Sequence, residues 1–149
     1  MELRVKRFHE LTVNELYDIL RLRVSVFVVE QQCAYMETDD LDQAAVHVWL
    51  EDENGIEAYL RILEKGVESE HCAIGRVIAA KRRCGYGSRI LKEGIRLARE
   101  LFGETAVYLE AQSYARGFYE RQGFRQISGE FLSDGIPHVK MLLEKSEEP

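Results

Sequence analysis

Apolar residues recur along this chain at two different spacings, and the spacing changes from one segment to the next. Steps of three and four residues, which place side chains on one face of a helix, run through residues 16–27 and again through 90–102. Thr12 and Glu15 form a capping box that predicts where the first helix begins. A shorter helix is expected over residues 113–122. The pattern therefore predicts three helices of unequal length.

Between these helices lie runs in which apolar residues alternate with polar ones or follow one another directly. Both patterns are typical of strands, and Asn54-Gly55 between two of the runs is a strong hairpin-turn signal. Residues 31–43 show no periodicity, so we expect a loop or a short irregular helix there. The predicted order is β-α-β-β-β-α-β-α-β-β. Strands are expected at residues 3–8, 46–50, 57–63, 72–79, 106–109, 124–132 and 138–143.

Length and composition narrow the class of protein. The chain has 149 residues, of which 46% are hydrophobic and 31% charged, so we expect one folded domain over residues 1–149. No apolar run approaches the ~20 residues of a bilayer-spanning helix, and the N-terminus lacks the apolar stretch of an export signal. Cys33, Cys72 and Cys84 are an odd number without metal-like spacing. We therefore expect reduced thiols, no metal and a cytoplasmic location.

Charge is distributed unevenly along the chain. The net charge of −6 argues against nucleic-acid binding. Residues 24–60 carry nine acids and no Lys or Arg, whereas residues 76–99 carry eight basic residues and the single acid Glu93. The acidic part suits a cation and the basic part an anion. Solvated surface is the alternative explanation for both.

The basic part contains the most informative segment, residues 74–91. A predicted strand passes there through a basic turn with Gly85 and Gly87 directly into a helix. The free N–H groups of a helix start and the close approach that glycine permits are suited to a phosphate. A P-loop would need a lysine before Ser88, and a dinucleotide fingerprint a glycine where Ile90 stands. The segment thus predicts an anion site of another kind.

Two linked motifs identify a family resemblance. Arg82-x-x-Gly85-x-Gly87 resembles the acyl-CoA pyrophosphate motif of the GNAT superfamily of N-acetyltransferases. Residues 112–124 resemble its second motif, Asn-x-x-Ala-x-x-x-Tyr-x-x-x-Gly-Phe, with Gln112 in place of the Asn. Residues 22–31 and 134–141 are similar to the ElaA-like branch, although Ser133 stands where an acid is expected. The predicted element order is also that of the superfamily.

The resemblance implies a fold and a donor. The fold class is α/β, layered as α+β: a central mixed, mostly antiparallel sheet with splayed middle strands and helices on both faces. The donor is acetyl-CoA, used as a cosubstrate without a metal. The backbone of the splayed strands and the glycine turn would hold it. The cofactor-binding residues so implied are Val77, Ile78, Arg82, Arg83, Cys84, Gly85, Tyr86, Gly87, Ser88 and Gln112.

The chemistry of amine acetylation needs an acid for the leaving thiolate and a base for the ammonium group. Tyr119 matches the tyrosine that donates to the thiolate in many relatives. The candidate bases are Glu30, Glu37, Glu110 and His138, among which His138 is favoured because a Gly-Ile-Pro turn aims it toward one rim. We therefore take Tyr119, His138 and Glu30 as the catalytic candidates.

The loop after the first helix lies on the acceptor side in this superfamily. In this chain the expected substrate-binding residues there are Tyr35, Glu37, Asp39 and Asp42. Their charge favours a cationic small-molecule or peptide amine as the partner, with no membrane or nucleic acid involved and a homodimer left open. Two other functions remain as alternatives: a non-catalytic acyl-CoA-binding or regulatory module, and a nucleotide-binding domain.

Overall fold

The computed structural model of the chain describes residues 1–80, 84–103 and 106–144. In these ranges the predicted elements appear in the predicted order, except that the strand expected at 124–132 is divided into two short strands. The helices are α1 (Val13–Val24), α2 (Tyr86–Phe102) and α3 (Arg116–Glu120). The strands are β1 (Glu2–Arg7), β2 (Val46–Asp52), β3 (Gly55–Leu63), β4 (Cys72–Ala79), β5 (Val107–Gln112), β6 (Arg125–Gln126), β7 (Phe131–Ser133) and β8 (Ile136–Leu143).

All strands belong to one mixed sheet. Its order is β1-β2-β3-β4-β5-β8-β6, and β7 pairs with β8 outside this path. Every pairing is antiparallel except that of β4 with β5, which is parallel. This arrangement confirms the expected mixed, mostly antiparallel sheet.

The parallel pair β4–β5 opens after its first two residues. Cys72 pairs with Val107 and Ala73 with Tyr108, and neither strand pairs further with the other although β4 continues to Ala79. From residue 74 onward the edge of β4 that faces β5 therefore has no strand partner among the described residues. Such an edge presents main-chain N–H and C=O groups that a ligand can use. This opening is the splay that the family resemblance implied.

Two helices cover opposite faces of the sheet. Side chains alternate along β2 and β3, so Val48 and Leu60 pack with the core under α2, whereas Trp49 and Tyr59 pack with Ile19 of α1. This is the expected arrangement of helices on both faces. No helix within the described ranges has the length and hydropathy of a membrane span.

The start of α1 follows the prediction, but its end does not. Thr12 Oγ1 accepts a hydrogen bond from the Glu15 amide at 3.0 Å, and Glu15 Oε1 accepts one from the Thr12 amide at 2.9 Å. After Val24 the helix continues as a π-helix over Ser25–Glu30. π-Helices are rare in proteins, and those that do occur are often located at functional sites. Here the π-helix leads into the loop of residues 31–43, which we call the acceptor loop.

Candidate active site

A cavity of about 770 Å³ occupies the opening between β4 and β5. Its walls come from β4, β5, the π-helix, the acceptor loop, the first residues of α2, the α3 segment and the β7–β8 hairpin. The residues that line it are Val26, Phe27, Glu30, Gln31, Cys33, Tyr35, Met36, Asp39, Ile74, Gly75, Arg76, Val77, Ile78, Ala79, Ala80, Gly87, Leu109, Glu110, Gln112, Tyr114, Ala115, Phe118, Tyr119, Ser133, Asp134, Ile136 and His138.

A bulge in β4 shapes one wall of this cavity. Tyr59 pairs with Ile78 and Arg61 with Gly75, so the single β3 residue between them faces two residues of β4. The first of those two, Arg76, has φ +55°, which is uncommon for a residue with a side chain. A bulge bends its strand and is common beside active sites. It turns the segment that contains Val77 and Ile78, the residues expected to bind the acyl group, along the cavity.

The start of α2 forms a second wall. Gly85 caps the helix with φ +76°, and the first main-chain bond of the helix runs from the Arg89 amide to the Gly85 carbonyl at 3.1 Å. The amides of residues 86–88 therefore have no partner within the helix and lie at its positive end. A Cβ on Gly87 would lie 3.5 Å from Ala79 Cβ and 3.6 Å from Phe118 Cζ. This helix end can bind a phosphate group.

Other members of the expected cofactor set have different positions. Arg82 and Arg83 lie outside the described residues. Cys84 is exposed, and Ser88 Oγ accepts a hydrogen bond from Gln122 Nε2 at 3.0 Å. Gln112 lines the cavity, where its amide pairs reciprocally with that of Gln31 at 3.1 and 3.4 Å. Gln112 thus links β5 to the acceptor loop.

Tyr119 lines the cavity from α3. Its ring packs edge-on against Phe118 and Phe124, with centroid distances of 5.1 and 6.1 Å. Burial raises the pKa of the Tyr119 phenol above its ordinary value. The hydroxyl therefore remains protonated over the physiological pH range, and in this form it can donate a hydrogen bond.

His138 lies across the cavity on β8, opposite Gln112 in the β5–β8 register. Its Nδ1 is 2.7 Å from the carbonyl oxygen of Ile136. Because a carbonyl can only accept, Nδ1 must carry a proton, and neutral His138 then has its lone pair on Nε2. The structure thus assigns the ring nitrogen that can act as a base.

The other candidate bases differ in their access to the cavity. Glu30 and Glu110 line it, and Glu110 Oε2 accepts a hydrogen bond from the Tyr108 hydroxyl at 2.8 Å. Glu37 is only 3% exposed and is not among the lining residues. Its position does not fit direct proton transfer from an acceptor.

Three acids of the acceptor loop belong to a set of side chains that we call the ion-pair ring. Three arginines from α1, β3 and β4 alternate with these carboxylates around a closed circuit, so the charges balance. In circuit order the members are Arg23, Glu37, Arg76, Asp39, Arg61 and Asp42.

Glu37 receives two arginines. Arg23 binds it as a fork, with Nε to Oε1 at 2.9 Å and Nη2 to Oε2 at 2.8 Å, and Arg76 Nε also donates to Oε2. Arg76 Nη2 donates in addition to the main-chain oxygen of Glu37 at 2.8 Å. Paired donors of this kind make the strongest side-chain hydrogen bonds in proteins.

Asp39 and Asp42 complete the ring. Arg61 Nη1 lies 2.8 Å from Asp39 Oδ1 and 2.9 Å from Asp42 Oδ1. Arg23 Nη1 donates to Asp42 at 2.6 Å, and Arg76 Nη2 to Asp39 at 3.3 Å. Burial alone would raise the pKa of the Asp39 carboxyl, but the hydrogen bonds and charge of Arg61 lower it to about 2.

This placement corrects one expectation about the acceptor loop. Glu37 and Asp42 are buried, their oxygens accept arginine N–H groups, and neither lines the cavity. Of the four expected substrate-binding residues, Tyr35 and Asp39 line it. Sequence reasoning missed the arginine partners because they lie between 14 and 39 residues away along the chain, and no local pattern links such positions.

Comparisons with known proteins agree with this geometry. The family model described as "Acetyltransferase (GNAT) domain" matches residues 16–145. Protein ElaA of Escherichia coli is 37% identical over 91% of each chain. A UPF0039 protein of Schizosaccharomyces pombe is 39% identical over 97% of each chain.

Solved structures show the same likeness. The crystal structure of Escherichia coli ElaA matches with a TM-score of 0.89 and 33% identity, covering 96% of this chain and 99% of that one. An acyl-CoA N-acyltransferase from Pseudomonas aeruginosa matches with a TM-score of 0.89 and 35% identity, over the same shares. An aminoglycoside 6'-N-acetyltransferase complexed with coenzyme A has a TM-score of 0.70 at 12% identity, a likeness of fold alone. The chain therefore belongs to the GNAT family of acyltransferases, as an ElaA-like member.

Proposed function

We propose that this protein transfers an acetyl group from acetyl-CoA directly to a primary amine while both substrates are bound. The observation that carries the proposal is the opening between β4 and β5. It brings an unpaired strand edge, a glycine-rich helix start, a protonated tyrosine and an oriented histidine to one cavity.

The donor would lie along the free edge of β4. The pyrophosphate of acetyl-CoA would bind the amides at the start of α2, where Gly87 lets the backbone approach closely. The acyl carbonyl would then lie near the N–H groups of Val77 and Ile78 in the bulged part of β4. Such N–H groups stabilise the negative charge that develops on oxygen when an amine attacks a thioester.

Two side chains would handle the protons. His138 Nε2 would accept a proton from the ammonium form of the acceptor, directly or through water, with Glu30 as the second candidate base. The neutral amine would attack the thioester carbon and the C–S bond would break, while Tyr119 would donate its proton to the departing sulfur. The nitrogen loses a second proton as the amide forms, and this proton would return through water to the Tyr119 oxygen. A non-catalytic binding module would have no need for an oriented base and a protonated acid around one cavity.

The acceptor would be a cationic small amine or a peptide amine. The ion-pair ring neutralises the acids first expected to attract it, but Glu110 and Asp134 line the cavity outside the ring. Carboxylates at the mouth of a cavity raise the local concentration of a cation. Tyr35 would contribute a wall of the acceptor site. We propose a cytoplasmic location, because the cytoplasm supplies acetyl-CoA and would keep Cys33 and Cys84 reduced.

A turnover screen tests this function. Acetyl-CoA is incubated with polyamines, aminoglycosides, amino acids and peptides, and both free CoA and the mass of the amine are measured at several salt concentrations. We expect one acetylated amine per CoA, faster reaction with cationic amines, and a rate that falls with salt because screening acts over about 8–10 Å.

Four results would contradict parts of the proposal. Acetyl-CoA binding without any acetylated amine would favour the non-catalytic module. Acetyl transfer onto the protein itself before the amine is added would exclude direct transfer. A preference for neutral amines would exclude the cationic acceptor. Binding of ATP or NAD in place of acetyl-CoA would favour a nucleotide-binding domain.

A further inference from the structure

The acceptor loop is held in place mainly by side chains. In the described part of the chain, residues 34–40 form no main-chain to main-chain hydrogen bond. The three acids of the ion-pair ring lie on this loop, whereas the three arginines lie on α1, β3 and β4. The ring therefore fastens a loop without regular structure to three regular elements. The same loop presents Cys33, Tyr35 and Met36 to the cavity.

Arg76 differs from the other two arginines of the ring. Arg23 and Arg61 are buried, at 0% and 2% exposed, whereas Arg76 lines the cavity with 21% of its side chain exposed. Arg76 also forms part of the β4 bulge, directly before Val77 and Ile78. Its backbone at φ +55° is unfavourable for a residue with a side chain and persists only where surrounding contacts hold it.

One residue thus joins the two sides of the cavity. Through its side chain Arg76 binds Glu37 and Asp39 of the acceptor loop, and through its main chain it belongs to the strand that would bind the acyl group. A shift of about 1 Å between reacting groups can lower a rate about 100-fold. A rigid connection between the two sides therefore matters for a direct transfer.

We propose that Arg76 is a positioning residue, which sets the acceptor loop at a fixed distance from the acyl-binding bulge of β4. The assignment rests on the proposed acyl transfer and adds to it a residue that touches neither the leaving thiolate nor the transferred proton. In this role the ion-pair ring holds the acceptor loop in place, and Arg76 is the arginine of the ring that lines the cavity.

Two substitutions distinguish the contribution of the Arg76 side chain from that of its bulged backbone. Glycine is relaxed at φ +55°, so Arg76→Gly deletes the ion pairs without adding strain to the bulge. Arg76→Lys retains a cation but loses the guanidinium fork. Gly103→Ala is the control for lost stability, because it adds a Cβ at φ +64° in the turn that ends α2, at the opposite end of that helix from Gly87.

The kinetic measurement compares the kinetic constants for the acceptor amine with the affinity for acetyl-CoA. For Arg76→Gly we expect the acceptor KM to rise, or kcat to fall, by about tenfold to 100-fold. Acetyl-CoA affinity measured by calorimetry should change little, because the bulge is preserved. Arg76→Lys should be intermediate, and Gly103→Ala should lower the melting temperature without changing the acceptor constants.

A second readout does not depend on turnover. Cys33 lies on the acceptor loop, where its thiol donates to the Asp134 carbonyl at 3.3 Å. Cys84 is exposed and directly precedes Gly85 at the start of α2. Peptide mapping after brief maleimide treatment should show faster labelling of Cys33 in Arg76→Gly and Arg76→Lys. The labelling rate of Cys84 is the internal reference and should not change.

The outcomes distinguish the two proposals. If the wild-type protein acetylates no amine, the proposed function fails, and the labelling of Cys33 alone decides whether Arg76 holds the loop. If the wild type is active but both Arg76 variants keep its acceptor constants and its Cys33 labelling rate, the positioning role is overturned. It is also overturned if Gly103→Ala produces the same changes.

Discussion

For Tyr119, the structure adds to the sequence motif a description of the surroundings of its hydroxyl group. Tyr119 was expected from the second motif, and its position in the cavity and its packing against Phe118 and Phe124 are now described. Burial raises the pKa of the phenol, so the hydroxyl stays protonated and can donate a hydrogen bond over the physiological pH range. Its role as the acid stays a prediction.

Tyr119→Phe should lower kcat while leaving acetyl-CoA affinity almost unchanged. Only the hydroxyl is removed, and a general acid commonly contributes about 10²–10⁴-fold to the rate. Steady-state kinetics with the best amine from the turnover screen, together with calorimetric titration of acetyl-CoA, provides the two numbers. Wild-type turnover by the variant would leave Tyr119 with a packing role alone.

Residues that sequence reasoning could and could not place differ in a physical way. Gly85, Gly87 and Tyr119 were found because helix starts and motif spacings are local patterns. The tautomer of His138 and the partners of Glu37 could not be found in this way, because each depends on groups that the fold brings together. The acids of the acceptor loop looked unneutralised because their arginines lie in other elements.

At the scale of elements, helix and strand order followed from the spacing of apolar residues. The capping box of α1 predicted a helix start that the structure confirms, because this signal acts within one turn. The π-helix over Ser25–Glu30 and the bulge in β4 were not predicted. Both arise from tertiary packing around the cavity, for which the local sequence contains no signal.

The packing of α2 on the sheet supports a prediction about stability. A Cβ on Gly94 would lie 2.7 Å from Leu60 Cδ2, and Leu60 is fully buried, so its side chain has little room to move. Overpacking of this kind costs about 1–3 kcal/mol, more than the ~1 kcal/mol that alanine contributes to a helix. Gly94→Ala should therefore lower the free energy of unfolding measured with urea.

Gly117→Ala is the matched control, in α3. There the added Cβ would lie 4.0 Å from the far end of the Arg121 side chain, an ordinary contact. This variant should be neutral or more stable by up to about 1 kcal/mol. Equal effects of the two substitutions would show that close helix–sheet packing at Gly94 is unimportant.

For the whole molecule, the ion-pair ring links stability to pH. The folded pKa of Asp39, about 2, lies below the ordinary value near 4. Ionised Asp39 therefore stabilises the fold above about pH 4, and this contribution is lost as the pH falls toward 2. The difference in unfolding free energy between the wild type and Asp39→Asn should shrink over that interval. A difference that is constant with pH would contradict the ionic role of Asp39.

The proposed function requires that acetyl-CoA bind in the opening between β4 and β5 with its pyrophosphate at the start of α2. Calorimetric titration of acetyl-CoA into the wild type, Gly87→Ala and Gly87→Asp tests it most directly. The methyl group of Gly87→Ala has room beside Ala79 and Phe118, whereas a carboxylate there would repel the pyrophosphate. We expect tight binding by the wild type and a large loss of affinity for Gly87→Asp, well beyond any loss for Gly87→Ala. Unchanged affinity of folded Gly87→Asp would contradict it.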